Sequence, residues 1–466
     1  MKKKIVIIGS GLAGSMLSNE LVKHCEVTLL ERGTKGSIQI PQVQYIQKKL
    51  AEVPTFCIGG GGTTNLWHNG LIPINIDDVT SKDFRDVLTD AQPYMDQAAF
   101  ALFFKNGSFT AAYDKLLSEV NALSDKFSAF PHGIDCLIYP KKFKKLTLHP
   151  QVNAIYNVHD IEFIFQDNKI TRLHYSIDRQ KNSIEADYVL VSAGAMGTPK
   201  ILQNIITLYG GDARKAGLGF IDHPKGFVGK VRFKKNVSQA FKRLSTYDKG
   251  DFISRNAIRL KSACGRYTGC AYFRPAITMS NNLAIYKYKV AIGADRGMNR
   301  LKKMFSPKLF HPDILAEIVS HIFGINIPGR TYNILFDGEQ KRGNNRVFYK
   351  GDQLCVDWSI SPEELEIYQE MLRGLEGMLE GLVDEMNIKT DITEDWLWSM
   401  AHHSGTVSMG DSDEDLIDKD LRLKCCENVF VCDGSVIQEH SYANTGLTIA
   451  QLALRLADRI KNMAKK

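Results

Sequence analysis

The chain opens on a run that few folds can accommodate. Lys4-Ile-Val-Ile-Ile-Gly9-Ser-Gly11-Leu12-Ala13-Gly14 leads into a helix-like stretch to Leu21, and a second apolar run, Val27-Thr-Leu-Leu, ends in Glu31-Arg32. A β-branched strand, Gly-x-Gly-x-x-Gly, a helix and a second strand closed by an acid form a βαβ unit built around a dinucleotide. Gly9 serves the strand-to-helix turn, Gly11 lets backbone approach a pyrophosphate, and Gly14 lets helix and strand pack closely. Leu12 and Ala13 begin the helix, whose free N–H groups hold phosphate charge; Glu31, with Arg32 beside it, is placed to accept from a ribose hydroxyl.

At 466 residues, 44% of them hydrophobic, the chain exceeds one simple core, and two intimately packed domains are expected. Its net charge of +7 is dispersed, which argues against nucleic acid as the main partner. The densest basic run, Lys141 to Lys145, reads as solvated surface, with contact to an acidic substrate or anionic surface as the alternative. Nine cysteines, an odd count without framework spacing, read as reduced thiols in the cytoplasm. The apolar run after Met1-Lys-Lys-Lys4 is too short for an export signal, so none is assigned. No window approaches about 18 uninterrupted apolar residues, so no membrane span is expected. Leu301 to Phe310 with Ile314 to Ile327 reads as a core-facing helix of the second domain, or else a membrane-surface segment.

A second glycine-rich stretch follows: Gly59-Gly-Gly61-Gly62-Thr63-Thr-Asn65-Leu66-Trp67-His68. Four consecutive glycines suit main chain lying against a flat or charged ligand better than a helix or strand. Residues 77 to 130 read as helices. From Val158 the period turns to two, through Phe165, a turn at Asp167-Asn168, Ile170 to Tyr175 and a turn around Lys181-Asn182, which predicts antiparallel hairpins. Tyr188 to Ser192 with Ala193-Gly194 is a buried strand entering a helix, a second approach of backbone to the nucleotide. Strands with basic outer faces are expected from Gly226 to about Gln340, then at Arg346 to Tyr349 and Leu354 to Trp358. Ser361-Pro-Glu-Glu364 caps a helix expected to carry apolar three-and-four spacing as far as Met386.

The C-terminal block runs Ala401-His402-His403-Ser404-Gly405-Thr406, then Val429 to Cys432 with Asp433-Gly434, then Tyr442-Ala-Asn444-Thr445-Gly446-Leu447-Thr448 and a helix to Ile460. Asp433-Gly434 ends a buried strand where it can meet a ribityl chain or pyrophosphate. The turn at Thr445 opens a helix whose positive end suits an electron-rich ring edge.

With these residues assembled, the chain resembles the glucose-methanol-choline (GMC) oxidoreductases, in the branch that includes pyranose oxidase and sugar dehydrogenases. The resemblance rests on Gly9 to Gly14 with Glu31, Gly60 to Trp67, Val189 to Leu202, Phe220-Ile-Asp-His-Pro224, Gly338-Glu-Gln340 with Asn345-Arg-Val347, and Ala401 to Ile460. It implies an α/β fold in which a Rossmann-type FAD-binding domain is interleaved with an antiparallel-sheet α+β substrate domain. The expected segments are FAD-binding at 1–76, 151–224 and 401–466, mainly helical substrate-domain or lid elements at 77–150, and substrate-binding at 225–400. Val158 joins the cofactor-binding set.

The same resemblance implies hydride transfer from an alcohol carbon to flavin N5. His402, at the first position of His-x-x-Gly-Thr, would be the base and Asn444 its partner on the alcohol oxygen, with His403 as the rival base. Two departures stand out. Thr445 replaces the usual proline, and Asn65 stands where some pyranose-oxidase relatives carry a flavin-linking histidine. FAD is therefore expected to be noncovalent, with His68 left as an alternative attachment point. The chain is also short for the family, which implies a trimmed substrate domain. The expected substrate is a small alcohol such as a sugar, aminosugar or polyol; an apolar or sterol-like alcohol and a noncatalytic flavin-binding subunit are the competing readings. Oxygen, a quinone and a protein all stay open as electron acceptor. No metal site is expected, since His402-His403 alone does not supply one.

Overall fold

The computed structural model describes residues 2–124, 130–141, 146–294, 307–316 and 329–465. A five-stranded sheet is ordered Val429–Val431, Tyr188–Val191, Lys4–Ile8, Glu26–Leu30 and Asn153–Ile155, and every neighbouring pair is parallel. Ile5 lies between Val27 and Tyr188, and Ile7 between Leu29 and Leu190, so the central strand is buried on both faces. Helices Leu12–Leu21 and Gly446–Ala464 pack against each other, joining the two ends of the chain. A Cβ on Gly14 would stand 1.9 Å from the Gly9 carbonyl oxygen, which explains the glycine there.

The second domain is built on an eight-stranded sheet. Its path runs Thr246–Asp248, Phe252–Lys261, Thr268–Pro275, Thr331–Gly338, Pro224–Phe233, Val383–Ile388; Trp398–Ser399 pairs with Pro224–Phe233, and Ile134–Pro140 with Phe252–Lys261. All its pairings are antiparallel. Phe336 packs on Tyr368 of the helix Pro362–Leu379, while Leu137, Lys225, Tyr272 and Asp337 line a cavity shared with the nucleotide domain. The Ile134–Pro140 strand lies within the segment expected to be mainly helical, after the helices Lys82–Ala91, Met95–Ala101 and Phe109–Ser124.

A small sheet joins Arg346–Lys350, Gln353–Asp357 and Val43–Tyr45. The predicted hairpins form as His159–Gln166, Lys169–Ile177 and Gln180–Glu185. Their second turn is at Asp178-Arg179, not Lys181-Asn182. Both turn residues have φ near +50 to +66°, as a two-residue hairpin turn demands, and Lys181 and Asn182 pair with Ser176 and Tyr175 inside the ladder.

The capping box at Ser361 and Glu364 forms as expected, but its helix stops at Leu379. Val383–Ile388 is a strand, because Met386 and Ile388 also alternate and pairing with Pro224–Phe233 decides between the two periods. The basic run beyond Lys141, at 142–145, lies outside the described residues, as does most of the 301–327 segment. Of the latter, Pro307–Phe310 is a short 3-10 turn, and the buried Asp313 pairs with the buried Lys230. No helix among the described residues is long and apolar enough to cross a membrane.

Candidate active site

Gly9 has φ +104°, and a Cβ there would meet the Ser192 carbonyl oxygen at 2.4 Å, whereas a Cβ on Gly11 would meet nothing within 4 Å. The first glycine is thus required by the protein itself, and the second leaves room for something else. The Glu31 carboxylate accepts from Ser10 N (2.9 Å), Ser10 Oγ (2.6 Å) and Gly33 N (2.8 Å), which ties the first turn to the end of the second strand.

The glycine-rich stretch folds over this cradle. Gly61 N donates to Ser10 Oγ (3.1 Å), and a Cβ on Gly62 would lie 3.2 Å from Gly11 Cα. Asn65 Nδ2 closes the loop by donating to Gly60 O (3.0 Å) and Gly62 O (2.8 Å). A third turn comes from the far end of the chain: Asp433 accepts from Gly194 N (2.8 Å), Thr198 Oγ1 (2.6 Å) and Ser435 N (2.7 Å). Gly194, like Gly11, has open space where a Cβ would stand. The Trp67 indole lies against Gly446 at the helix start, where a Cβ would be 2.5 Å from its ring.

These turns border one cavity of about 960 Å³, toward the upper end of the range for small-molecule and cofactor sites. Gly9, Gly11, Leu12, Ala13, Glu31, Arg32, Gly62, Thr63, Leu66, Trp67, Val158, Ala193, Gly194, Asp433, Gly434, Thr445 and Gly446 line it, together with His402, His403 and Asn444. Gly14, Gly61, Asn65 and Leu447 stand behind its wall: Gly14 packs helix on strand, Gly61 and Asn65 shape the cover loop, and Leu447 is buried in the core. The fit to a dinucleotide rests on this structure's own features, two open Cβ positions in the turns and an acid at the second strand's end.

At the opposite end the residues change character. His223 Nε2 lies 2.6 Å from the Ser441 carbonyl oxygen, and His223 Nδ1 lies 2.7 Å from His402 Nδ1. A carbonyl only accepts, so His223 carries its proton on Nε2 and its Nδ1 accepts. His402 then donates from Nδ1, and its Nε2 lone pair, with no protein partner among the described residues, is left to the cavity. Burial lowers the His223 pKa to about 4 and holds His402 well below the usual imidazole range, with the His223 ring and Lys225 adding to the effect.

Further contacts hold this pair in place. Asp222 accepts from His402 N (2.9 Å), His223 N (2.7 Å) and the Ser399 hydroxyl, and lies 3.4 Å from His403 Nε2. Gln340 Oε1 accepts from Trp358 Nε1 (2.9 Å) and Asp222 N (3.3 Å). Ser441 N donates to Glu339 (3.1 Å). Ala401 and Ser441 have φ of +65° and +53°, left-handed conformations that cost about 1 kcal/mol or more in a non-glycine residue, at the two points where the chain turns toward the histidines. His440 lies tilted against His223 with ring centroids 3.9 Å apart, and burial holds its pKa well below the usual imidazole range too. Asn444 Nδ2 is anchored on Gly70 O (2.6 Å), leaving its second N–H free and its buried Oδ1 unpaired.

The sequence reading did not single out His223 or His440, which the fold brings beside His402. The signal for His223 was a titratable Asp222-His223 pair inside an apolar run. His440, four residues before Asn444, carried none.

A glycine-lined cradle on a parallel sheet shares one cavity with an imidazole cluster at the second domain, the arrangement expected of a dinucleotide-dependent oxidoreductase. A family model described as GMC oxidoreductase matches residues 352–453. Pyridoxine 4-oxidase of Microbacterium luteolum is 26% identical over 148 residues, an alignment that spans 26% of this chain and 28% of that protein.

Among solved structures, pyridoxine 4-oxidase from Mesorbium loti has a TM-score of 0.62 at 14% identity, covering 98% of this chain and 99% of that one. An FAD-dependent oxidoreductase from Chaetomium thermophilum has 0.62 at 14%, covering all of both chains. Formate oxidase from Aspergillus oryzae has 0.61 at 16%, covering 100% and 99%. At these identities the likeness is one of fold. Residues 352–453 are thus similar to the GMC oxidoreductases, and the fold of the whole chain is that of the FAD-dependent oxidoreductase and the two oxidases above.

Proposed function

We propose that this protein oxidises the CH–OH group of a small polar alcohol to C=O, with noncovalent FAD and with His402 as the base. The observation that carries this reading is the bare His402 Nε2 at the cavity end, its tautomer set through His223 by the Ser441 carbonyl. FAD held across the cradle supplies the acceptor for the hydride. His402 Nε2 takes the hydroxyl proton, and the imidazolium that forms keeps its Nδ1–H on His223, with the Asp222 carboxylate close by. The free N–H of Asn444 supports the oxygen as negative charge develops there. A pKa held low by burial keeps His402 in its basic form at neutral pH.

A sugar, aminosugar or polyol is the favoured substrate. A hydroxymethyl group on an aromatic ring is the second reading, supported by Tyr139, Tyr272 and Tyr442 in the lining and by the relatives named for pyridoxine. Cytoplasmic residence is supported by nine free cysteines. Anaerobic titration of the yellow enzyme with an alcohol panel tests the reading: the flavin band bleaches with substrate, and His402→Ala lowers the rate by about 100-fold or more. Unchanged bleaching in that variant removes His402 as base, and bleaching by no alcohol removes the function.

A further inference from the structure

The reaction end carries two titratable groups for which the chemistry above has no use. Lys225 and Asp337 face each other across neighbouring antiparallel strands, and both line the cavity. Asp337 is fully buried, and neither of its carboxylate oxygens has a hydrogen-bond partner. The Lys225 ammonium makes no hydrogen bond or ion pair with any described residue, and the side chain lines the cavity. It is near enough to the reacting end to depress both His402 and His223. A buried carboxyl without a hydrogen-bond partner is costly, and a bound group that joins it to the neighbouring ammonium would relieve that cost.

We infer that Lys225 and Asp337 determine substrate specificity, with Asp337 accepting from an O–H or N–H of the substrate and Lys225 donating to an adjacent oxygen. Resting on the function proposed above, this narrows the substrate to an alcohol that carries a donor and an acceptor side by side, beyond the reacting carbinol. A vicinal diol meets that requirement, and so does a ring hydroxyl beside a heterocyclic N–H. Tyr272, two residues from the strand neighbour of Asp337, adds an aromatic wall on the same face. Simple alkyl or benzylic alcohols leave the Asp337 oxygens without a hydrogen-bond partner and are rejected, as sites built to hydrogen-bond reject analogues lacking the group.

The test uses holoenzyme and reads binding by perturbation of the flavin spectrum, with kcat/KM measured alongside. One arm takes sorbitol and N-acetylglucosamine, a second takes hydroxypyridine methanols, and benzyl alcohol and cyclohexanemethanol are the controls. Asp337→Asn and Lys225→Met should each reduce the preference for the better polar arm over the controls by about 30-fold, mainly through binding. Which arm responds identifies the donor and acceptor pair. Equal weakening of polar ligands and controls, or a wild-type enzyme that does not prefer either polar arm, overturns the inference. If the preference and its loss are seen in binding while no ligand bleaches the flavin, the alcohol-oxidation reading fails and the recognition pair stands. Thermal unfolding of both variants, with retained FAD, separates lost recognition from lost fold.

Discussion

Replacing His223 with alanine isolates the one contact that decides which nitrogen of His402 is basic. The His402 Nδ1–H loses the acceptor 2.7 Å away and becomes a buried, unpartnered donor. Such a group costs about 1–3 kcal/mol, which the ring escapes by moving its proton to Nε2 or by turning. Either response withdraws the lone pair from the cavity. At about 1.4 kcal/mol per decade, the competent population and the rate of flavin reduction fall by about 5- to 150-fold. The assay is anaerobic rapid mixing, which follows flavin reduction before any reoxidation. Because His223 acts through His402 and does not touch substrate, kcat should drop while KM stays within about threefold. His223→Gln, whose amide oxygen can accept the same N–H, should recover part of the loss. A His223→Ala enzyme that keeps its wild-type reduction rate, or loses only substrate affinity, refutes the tautomer argument.

Further outcomes follow from the same structure. Burial lowers the pKa of His223, His402, His403 and His440, so the unfolded chain binds more protons than the folded one below the ordinary imidazole value of 6.5. The stability they contribute is present above pH 6.5 and is lost as pH falls toward the folded values, about 4 for His223; thermal melts between pH 7.5 and 4.5 should show that decline, and a flat profile contradicts it. Gly14→Ala places a Cβ 1.9 Å from the Gly9 oxygen and should lower the apoprotein melting temperature, whereas Gly11→Ala, with open space there, should spare the apoprotein and reduce FAD content. Equal melting losses in the two apoproteins would contradict the assignment of Gly11 to the cradle. Acid precipitation should leave the yellow chromophore in the supernatant; colour in the pellet would point to His68 as a covalent attachment.

Features that depend on residues close in the chain were legible early. The Gly9-x-Gly11-x-x-Gly14 turn, the Ser361 capping box and the helix after Thr445 need only a few neighbours to state their conformation. Alternation could name the hairpins but misplaced one turn, since Lys181-Asn182 is as polar as Asp178-Arg179 and only the register of the ladder separates them. The stretch after Leu379 failed for a related reason: its apolar spacing serves a helix or a strand, and a partner strand some 150 residues earlier decides.

The chain's residues, taken in order, determine a turn suited to a dinucleotide and supply an imidazole and an amide near the C-terminus, because glycine sterics and side-chain chemistry are properties of short segments. Tertiary structure alone decides that His402 answers to His223, that Ser441 sets the tautomer of both, and that Lys225 meets Asp337 at one cavity end. Hydrogen-bond direction and burial depend on groups brought together from distant parts of the chain, so no single stretch contains them.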